Sequence, residues 1–379
     1  MKQFLKIIVP LALACVSAAS CVDRNGGGDP LRMLVGTYTK GNDSKGVYYY
    51  EFDEKTLDFR LLDTARAWNP SFVIPSADGR SAYCVCESAD GREGACAFSL
   101  GDSAIDSVNF SSNVPEGRLE LSGAPCNIIV VGKHAITSNY RGGTLSVFPL
   151  EEDGSLGAMS HVFVPENDPG TVSHMHCATL SPDGRHLYAN DLGADIVYRF
   201  DVVDGEADME NPHVAYRLDR DSHPGPRHSV FSADGRFMYL ICELGDELDV
   251  FRCDGGELSL ISSRKAYDGD GHGSADIHIS PDGRFLYTSH RLKKDGISIF
   301  RIDPSSGDVV NIGFCPTGRH PRNFAITPDG KYLLCACRDD NRIEIFSIDA
   351  RSGMLEATGK SLDLPSPVCI QFFGWRESN

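Results

Sequence analysis

Short apolar runs recur along the chain, each placed behind one kind of turn. The turn reads Ser/Thr-x-Asp-Gly-Arg/Lys and carries Asp78, Asp183, Asp234, Asp282 and Asp329. The last four are spaced 51, 48 and 47 residues apart, and the first gap, 105, is two periods. The missing copy falls at Val131-Gly132-Lys133. Asp-Gly between apolar runs is a hairpin signal. The run behind each turn is strand-like, as in Met238-Tyr-Leu-Ile-Cys242. Most copies add a later strand ending in Phe: Phe148, Phe200, Phe251, Phe300 and Phe346. No stretch sustains a helical period.

A period near 50 with four short strands predicts a β-propeller blade. Six copies are complete and a seventh is split. Leu34–Thr39 and Gly46–Phe52 look like later strands of a blade without its first, and Cys369–Gly374 looks like a first strand with nothing after it. Joining them predicts an all-β, seven-bladed propeller closed by pairing of its N- and C-terminal strands, which leaves no open sheet edge. Residues 31–379 are then one domain despite a length that suits two.

The composition is globular, with 41% hydrophobic and 23% charged residues. The net charge of −17 excludes the broad basic field of a nucleic-acid binder and offers nothing to an anionic membrane surface. An anionic small molecule needs a local basic cluster.

The first 21 residues read as an export signal. Lys2 and Lys6 precede an apolar stretch, Phe4–Ala14, too short to span a membrane. Ala18-Ala-Ser-Cys21 resembles a lipobox, which marks Cys21 for lipidation, with Cys15 as a second candidate. Residues 22–30 contain Asn25-Gly-Gly-Gly-Asp-Pro30 and suit a flexible tether. The expectation is an exported lipoprotein facing the periplasm or cell surface, touching a membrane only through that anchor. The chain has 13 cysteines, without any C-x-x-C pair. Cys84/Cys86 and Cys335/Cys337 each point to one face of a strand, and packed small apolar groups are the expected role.

The repeated turns all join the first and second strands of a blade, so they share one rim. Residues at the start of the first strand and the end of the second lie on the other rim, roughly 20 Å away, around the mouth of the central channel. These are Glu87, Asn139, Tyr140, His174, His176, Asp191, Arg227, His228, Glu243, His290, Arg291, His320, Arg322, Asn323 and Arg338. Arginine and histidine gather there in an acidic protein. That suits an anion site, although single residues could instead pair as inter-blade salt bridges.

Gly225-Pro-Arg-His-Ser-Val-Phe-Ser-Ala-Asp-Gly-Arg-Phe-Met-Tyr-Leu-Ile-Cys-Glu-Leu244 resembles the propeller-type 6-phosphogluconolactonases. So do Leu34–Thr39, Asn69-Pro-Ser71, Asn139-Tyr140, His174-Met-His176, Asp191-Leu-Gly193 and His320-Pro-Arg-Asn323, in order and in register with the blades. The resemblance implies a carboxylic-ester hydrolase that opens a sugar lactone to its aldonic acid without a cofactor or metal. It places the functional positions on His176, Arg227, Glu243 and Arg291. Of His174 and His176, one is expected to face the channel, and the motif selects His176. Asn139, Tyr140, Asp191, His228, His320 and Arg322 are the expected substrate-binding set. The chain departs from the pattern at His290, where the family usually has Asn before the arginine, and at Cys86, Cys242 and Cys337. Glu243 or His176 could take a proton from water and the other return it. Arg227 and Arg291 could hold an anionic group and the developing oxyanion. No Gly-x-Ser-x-Gly elbow or phosphate loop occurs. The family also contains a fungal carboxy-muconate lactonizing enzyme, so a cycloisomerase is an alternative. A non-catalytic propeller binding a ligand at the same mouth is another. A calcium-dependent lactonase using Glu87, Asn139, Asp191 and Glu243 suits the oxygen donors but not the arginines beside them.

Overall fold

The computed structural model describes residues 30–88, 90–219 and 222–374. The signal-like segment, Cys15, Cys21 and the tether up to residue 29 lie outside them. Seven antiparallel sheets follow one another, six of four strands and one, beginning at Met175–Leu180, of five. Their first strands are Val73–Pro75, Pro125–Val131, Met175–Leu180, Pro226–Phe231, Ser274–Ile279, Pro321–Ile326 and Pro367–Phe373. Each first strand touches the first strand of the blade before and after it, so the seven form a closed inner ring. We number the blades in chain order, the split blade being blade 1.

Blade 1 takes its first strand from the far end of the chain. Pro367–Phe373 pairs antiparallel with Leu31–Thr37, with Leu34 opposite Gln371 and Gly36 opposite Cys369. The split blade expected from the sequence is therefore present.

A propeller has a core at every blade interface rather than one centre. Seven apolar clusters occur, one between each neighbouring pair of blades. The repeated phenylalanines fill them: Phe148, Phe200, Phe251 and Phe300 are fully buried. Repeated tyrosines pin the second strands of blades 4, 5 and 6 to the next blade. Tyr188 donates to the Gly256 carbonyl at 2.8 Å, Tyr239 to Gly307 at 3.0 Å and Tyr287 to Gly353 at 2.9 Å.

The Asp-Gly turns explain why their residue types repeat. In blade 4 the Ser181 hydroxyl donates to Asp183 at 2.6 Å, and the Arg185 N–H donates to the same carboxylate at 3.1 Å. Gly184 takes φ +72°, the left-handed region open to glycine. The same bonds recur at Asp78, Asp234, Asp282 and Asp329. These turns form one rim.

Among the described residues the eleven cysteines are free and buried or half-buried. Cys84, Cys335 and Cys369 pack in the interface cores.

Candidate active site

The first strands share a device that aims side chains into the channel. Register shifts fall between Pro125 and Asn127, Met175 and Cys177, Pro226 and His228, and Pro321 and Asn323. Such a bulge re-aims the residue it contains. That residue is Cys126, His176, Arg227 and Arg322 in the four blades. The shift also separates the two histidines. On a regular strand residues two apart share a face, but here alternation breaks at His176. His174 precedes the strand, stacks on Tyr140 with ring centroids 4.6 Å apart, and bonds the Tyr140 carbonyl.

Glu243 follows the second strand of blade 5 and Arg291 that of blade 6, so both reach the same mouth. The Glu243 carboxylate lies between two guanidiniums. Arg227 Nε donates to Oε2 at 2.7 Å, and Arg291 Nη2 pairs with Oε1 at 2.9 Å. His176 Nε2 stands 4.0 Å from Oε2. The four residues the family resemblance selects thus form one cluster, on the rim opposite the Asp-Gly turns.

A second charged group faces them from blades 1, 2 and 7. Tyr38 donates to the Glu87 carboxylate at 3.1 Å. Arg322 lies 3.9 Å from Glu87 and 5.5 Å from the Tyr38 ring centroid. Sequence reasoning missed Tyr38. Its signal was its place one residue past Leu31–Thr37, the second strand of a blade whose number is hidden by the split. Three guanidiniums, Arg227, Arg291 and Arg322, face two carboxylates, Glu243 and Glu87, leaving the mouth at +1 in a chain of −17.

The guanidiniums are not equally engaged. Arg291 spends Nε on the Gly273 carbonyl, Nη1 on His320 and Nη2 on Glu243. Arg227 uses Nε on Glu243 and Nη1 on His228 and the Ala275 carbonyl. Among the described residues its Nη2 has no hydrogen-bond partner, and Arg322 makes no side-chain hydrogen bond, only the long contact to Glu87 and its place over the Tyr38 ring. These two hold the unspent donors.

The electrostatics follow from burial and from the arginines. Burial opposes charge on Glu243, but Arg291, Arg227 and Arg322 outweigh it and hold the carboxyl below its usual value. Burial, then Arg227 and its neighbours, push His176 well down, so the ring is neutral. Its Nδ1 is buried without a partner among the described residues. Burial lowers Arg291 to about 9, with Glu243 opposing the fall.

Several expected substrate ligands are occupied elsewhere. Asn139 is fully buried; its amide donates to Thr144 and Ser146 at 2.9 Å each and accepts from Asn113 at 2.7 Å. Asp191 accepts from Ser173 at 2.5 Å and from the His174 and Ala194 N–H groups, closing an inter-blade loop. Both serve the scaffold because a polar residue ending a second strand is also where the next loop needs an acceptor. The calcium set that needed them is therefore not assembled. His290 stacks on Tyr267 between blades and spends its nitrogens on Ser274 and Thr288. His228 has both nitrogens engaged, with Asp276 at 2.8 Å and Arg227 at 3.2 Å. His320 contacts Arg291 at 3.3 Å and supports it rather than offering a free ring. Arg338 pairs with Asp339 at 2.7 Å beside it, and Asn323 lies below the mouth, bonded to the Ile370 N–H at 2.7 Å. Tyr140 stays at the mouth, edge-on to His176 at 5.7 Å.

The buried histidines set how stability depends on pH. His228 is lowered to about 4 by burial and Arg227, His290 to about 3 by burial and Lys294, and His176 falls well below 6.5. A histidine lowered in the fold takes its proton first in the unfolded chain. Stability therefore falls as pH drops below 6.5 and keeps falling to the folded value. Each such group contributes about 1.4 kcal/mol per pH unit. Asp249, raised to about 6 by burial, works in the opposite sense, and half-exposed Glu54, raised to about 7, adds a smaller, solvent-screened share. The histidines win, so denaturant midpoints should drop between pH 6.5 and 4.5. His290→Gln, away from the mouth, should flatten that slope. A midpoint constant across the interval would contradict this account.

Residues 32–372 match the model of the family described as Lactonase, 7-bladed beta-propeller. A 6-phosphogluconolactonase of Formosa agariphila is 33% identical, covering 90% of this chain and 99% of the relative. One from Bacillus subtilis is 29% identical, covering 89% and 97%. Among solved structures, a proposed 6-phosphogluconolactonase of Bacteroides fragilis superposes with a TM-score of 0.83 at 39% identity, covering 93% of this chain and all of that one. The periplasmic gluconolactonase of Pseudomonas aeruginosa superposes at 0.80 with 29% identity, covering 92% and 100%. With its ring of seven blades and a family match spanning nearly the whole propeller, this chain belongs to the seven-bladed β-propeller lactonases.

Proposed function

We propose that the mouth hydrolyses a sugar lactone to its aldonic acid. The observation that carries this is Glu243 held between Arg227 and Arg291, with neutral His176 4.0 Å away. The names of the relatives in Formosa agariphila, Bacillus subtilis and Pseudomonas aeruginosa support it.

Water adds to the lactone carbonyl carbon, the carbonyl oxygen becomes an oxyanion, and the ring oxygen leaves and takes a proton. Arg227 Nη2 supplies a donor for the oxyanion, in a buried setting where such a contact is strong. Arg322, with its donors unspent, takes the substrate's anionic or polar end. Glu243 is a weak base while both arginines hold it. A substrate oxygen that draws Arg227 away raises the carboxyl's proton affinity, so the base is armed on binding. His176, neutral and beside Oε2, relays the proton to the leaving oxygen.

The mouth's charge of +1 accommodates a plain lactone more readily than a phosphate dianion. The test is a panel of plain and 6-phosphorylated sugar lactones assayed with the wild type and Glu243→Gln. Turnover by the wild type, lost in the variant with binding nearly intact, is expected. Full turnover by Glu243→Gln moves the base to His176. Tight binding without turnover of any lactone by the wild type makes the mouth a binding site only.

A further inference from the structure

The third residue of the first strand has a structural task that recurs around the ring. It accepts a hydrogen bond from a backbone N–H of the next blade's first strand. Asn127 accepts from Ala178 at 3.1 Å, and Asn323 from Ile370 at 2.7 Å. Asp276 accepts from Phe324 at 3.3 Å. An amide does this work in blades 3 and 7, so the carboxylate in blade 6 is more than the task requires.

Its extra acceptor has a definite use. Asp276 Oδ2 collects Phe324 N–H, Asn323 Nδ2 at 2.5 Å and His278 Nε2 at 3.0 Å. Oδ1 is left for His228 Nδ1 at 2.8 Å. Across the ring, His228 Nε2 meets Arg227 Nη1 at 3.2 Å. A guanidinium can only donate, so Nε2 must be the acceptor and Nδ1 must carry the proton. That is the tautomer a carboxylate at Nδ1 enforces. All three residues are buried, and burial with Arg227 close by keeps His228 neutral.

We propose that Asp276 is a positioning residue for Arg227: it fixes His228 in the Nδ1–H tautomer, whose Nε2 lone pair anchors Arg227 Nη1 and turns the guanidinium toward Glu243 and the mouth. This rests on the reading of the mouth as the lactone-hydrolysing site. Asp276→Asn isolates the role. The Oδ2 side faces a fixed backbone N–H and the Asn323 amide, so the new amide must keep its oxygen there and aim its NH2 at His228. Nδ1 then becomes the acceptor, Nε2 takes the proton, and two donors face each other at Arg227. The inter-blade bond to Phe324 survives, but Arg227 is displaced, and a misplacement near 1 Å can cost about 100-fold in rate.

The experiment uses the full chain labelled with 15N-histidine, with the His228 signals assigned by their loss in His228→Gln. In the wild type His228 is expected to be protonated at Nδ1, and in Asp276→Asn at Nε2. Asp276→Asn should lower kcat/KM on the best lactone by about 100-fold with its melt little changed. In the His228→Gln background the same substitution should cost less than about threefold, because the route through the ring is already gone. A wild-type His228 protonated at Nε2, or an equal cost in both backgrounds, would overturn the proposal. If Asp276→Asn does not fold, the wild-type tautomer alone decides. If the wild type turns over no lactone, the functional reading fails while the tautomer measurement still judges the positioning role.

Discussion

Arg227→Ala is expected to lose roughly 10²–10³ in turnover and to raise KM as well. The residue has two charges to manage. It neutralises one side of Glu243 at 2.7 Å, and its free Nη2 is the donor proposed for the oxyanion. Truncation removes the proposed oxyanion donor and leaves Glu243 with Arg291 and the more distant Arg322, so the carboxyl rises toward its ordinary value. Arg227→Lys should recover only part of the rate, since a point charge cannot satisfy Glu243, His228 and the Ala275 carbonyl together. Arg322→Ala should behave differently: a higher KM with kcat less affected, as expected of the substrate-binding role proposed for it. Steady-state kinetics with melts of each variant separate these effects from loss of fold. Equal kcat for Arg227→Ala and the wild type would remove Arg227 from the chemistry.

Deleting residues 367–379 should abolish the folded ring. Pro367–Phe373 supplies the inner strand of blade 1, and Val368, Cys369 and Ile370 are buried in it. Burying a Val or Ile side chain is worth about 1.5–3 kcal/mol. To that are added the lost pairing with Leu31–Thr37, the bond from the Ile370 N–H to Asn323, and those between Cys369 and Val73. Against a total stability on the order of 5–15 kcal/mol, the sum leaves little margin. The inner edge of Leu31–Thr37, left unpaired, then invites aggregation. Circular dichroism melts and size-exclusion profiles check this; a truncated chain that melts like the full one would refute it.

The ring and its split blade were legible because the Asp-Gly turn is a local signal, with Ser, Asp and Gly each fixed by a bond or a φ angle, and its spacing counts blades. The mouth was legible because strand length and turn position decide which residues share a rim. What a rim position does was not. Asn139 and Asp191 sit where a ligand-binding residue would, but the same places need acceptors for loop N–H groups, and only the contacts distinguish the two uses. The bulges that aim His176 and Arg322 inward leave no mark in an apolar run. Asp276 was overlooked because it lies inside a strand, not at its end. Aligning the first strands would have shown it in a column where Asn127 and Asn323 stand.

The split blade also fixes how the chain leaves the ring. Leu31 begins its strand beside Phe52, and Arg32 pairs with Phe373, next to the turn at Gly79. Leu31–Thr37 then runs toward Tyr38 and the mouth. The described chain thus begins on the turn rim, a strand's length from the mouth. If the chain ahead of residue 30 fastens the protein to a surface, the attachment joins the disc on its turn rim and leaves the rim that carries the mouth uncovered.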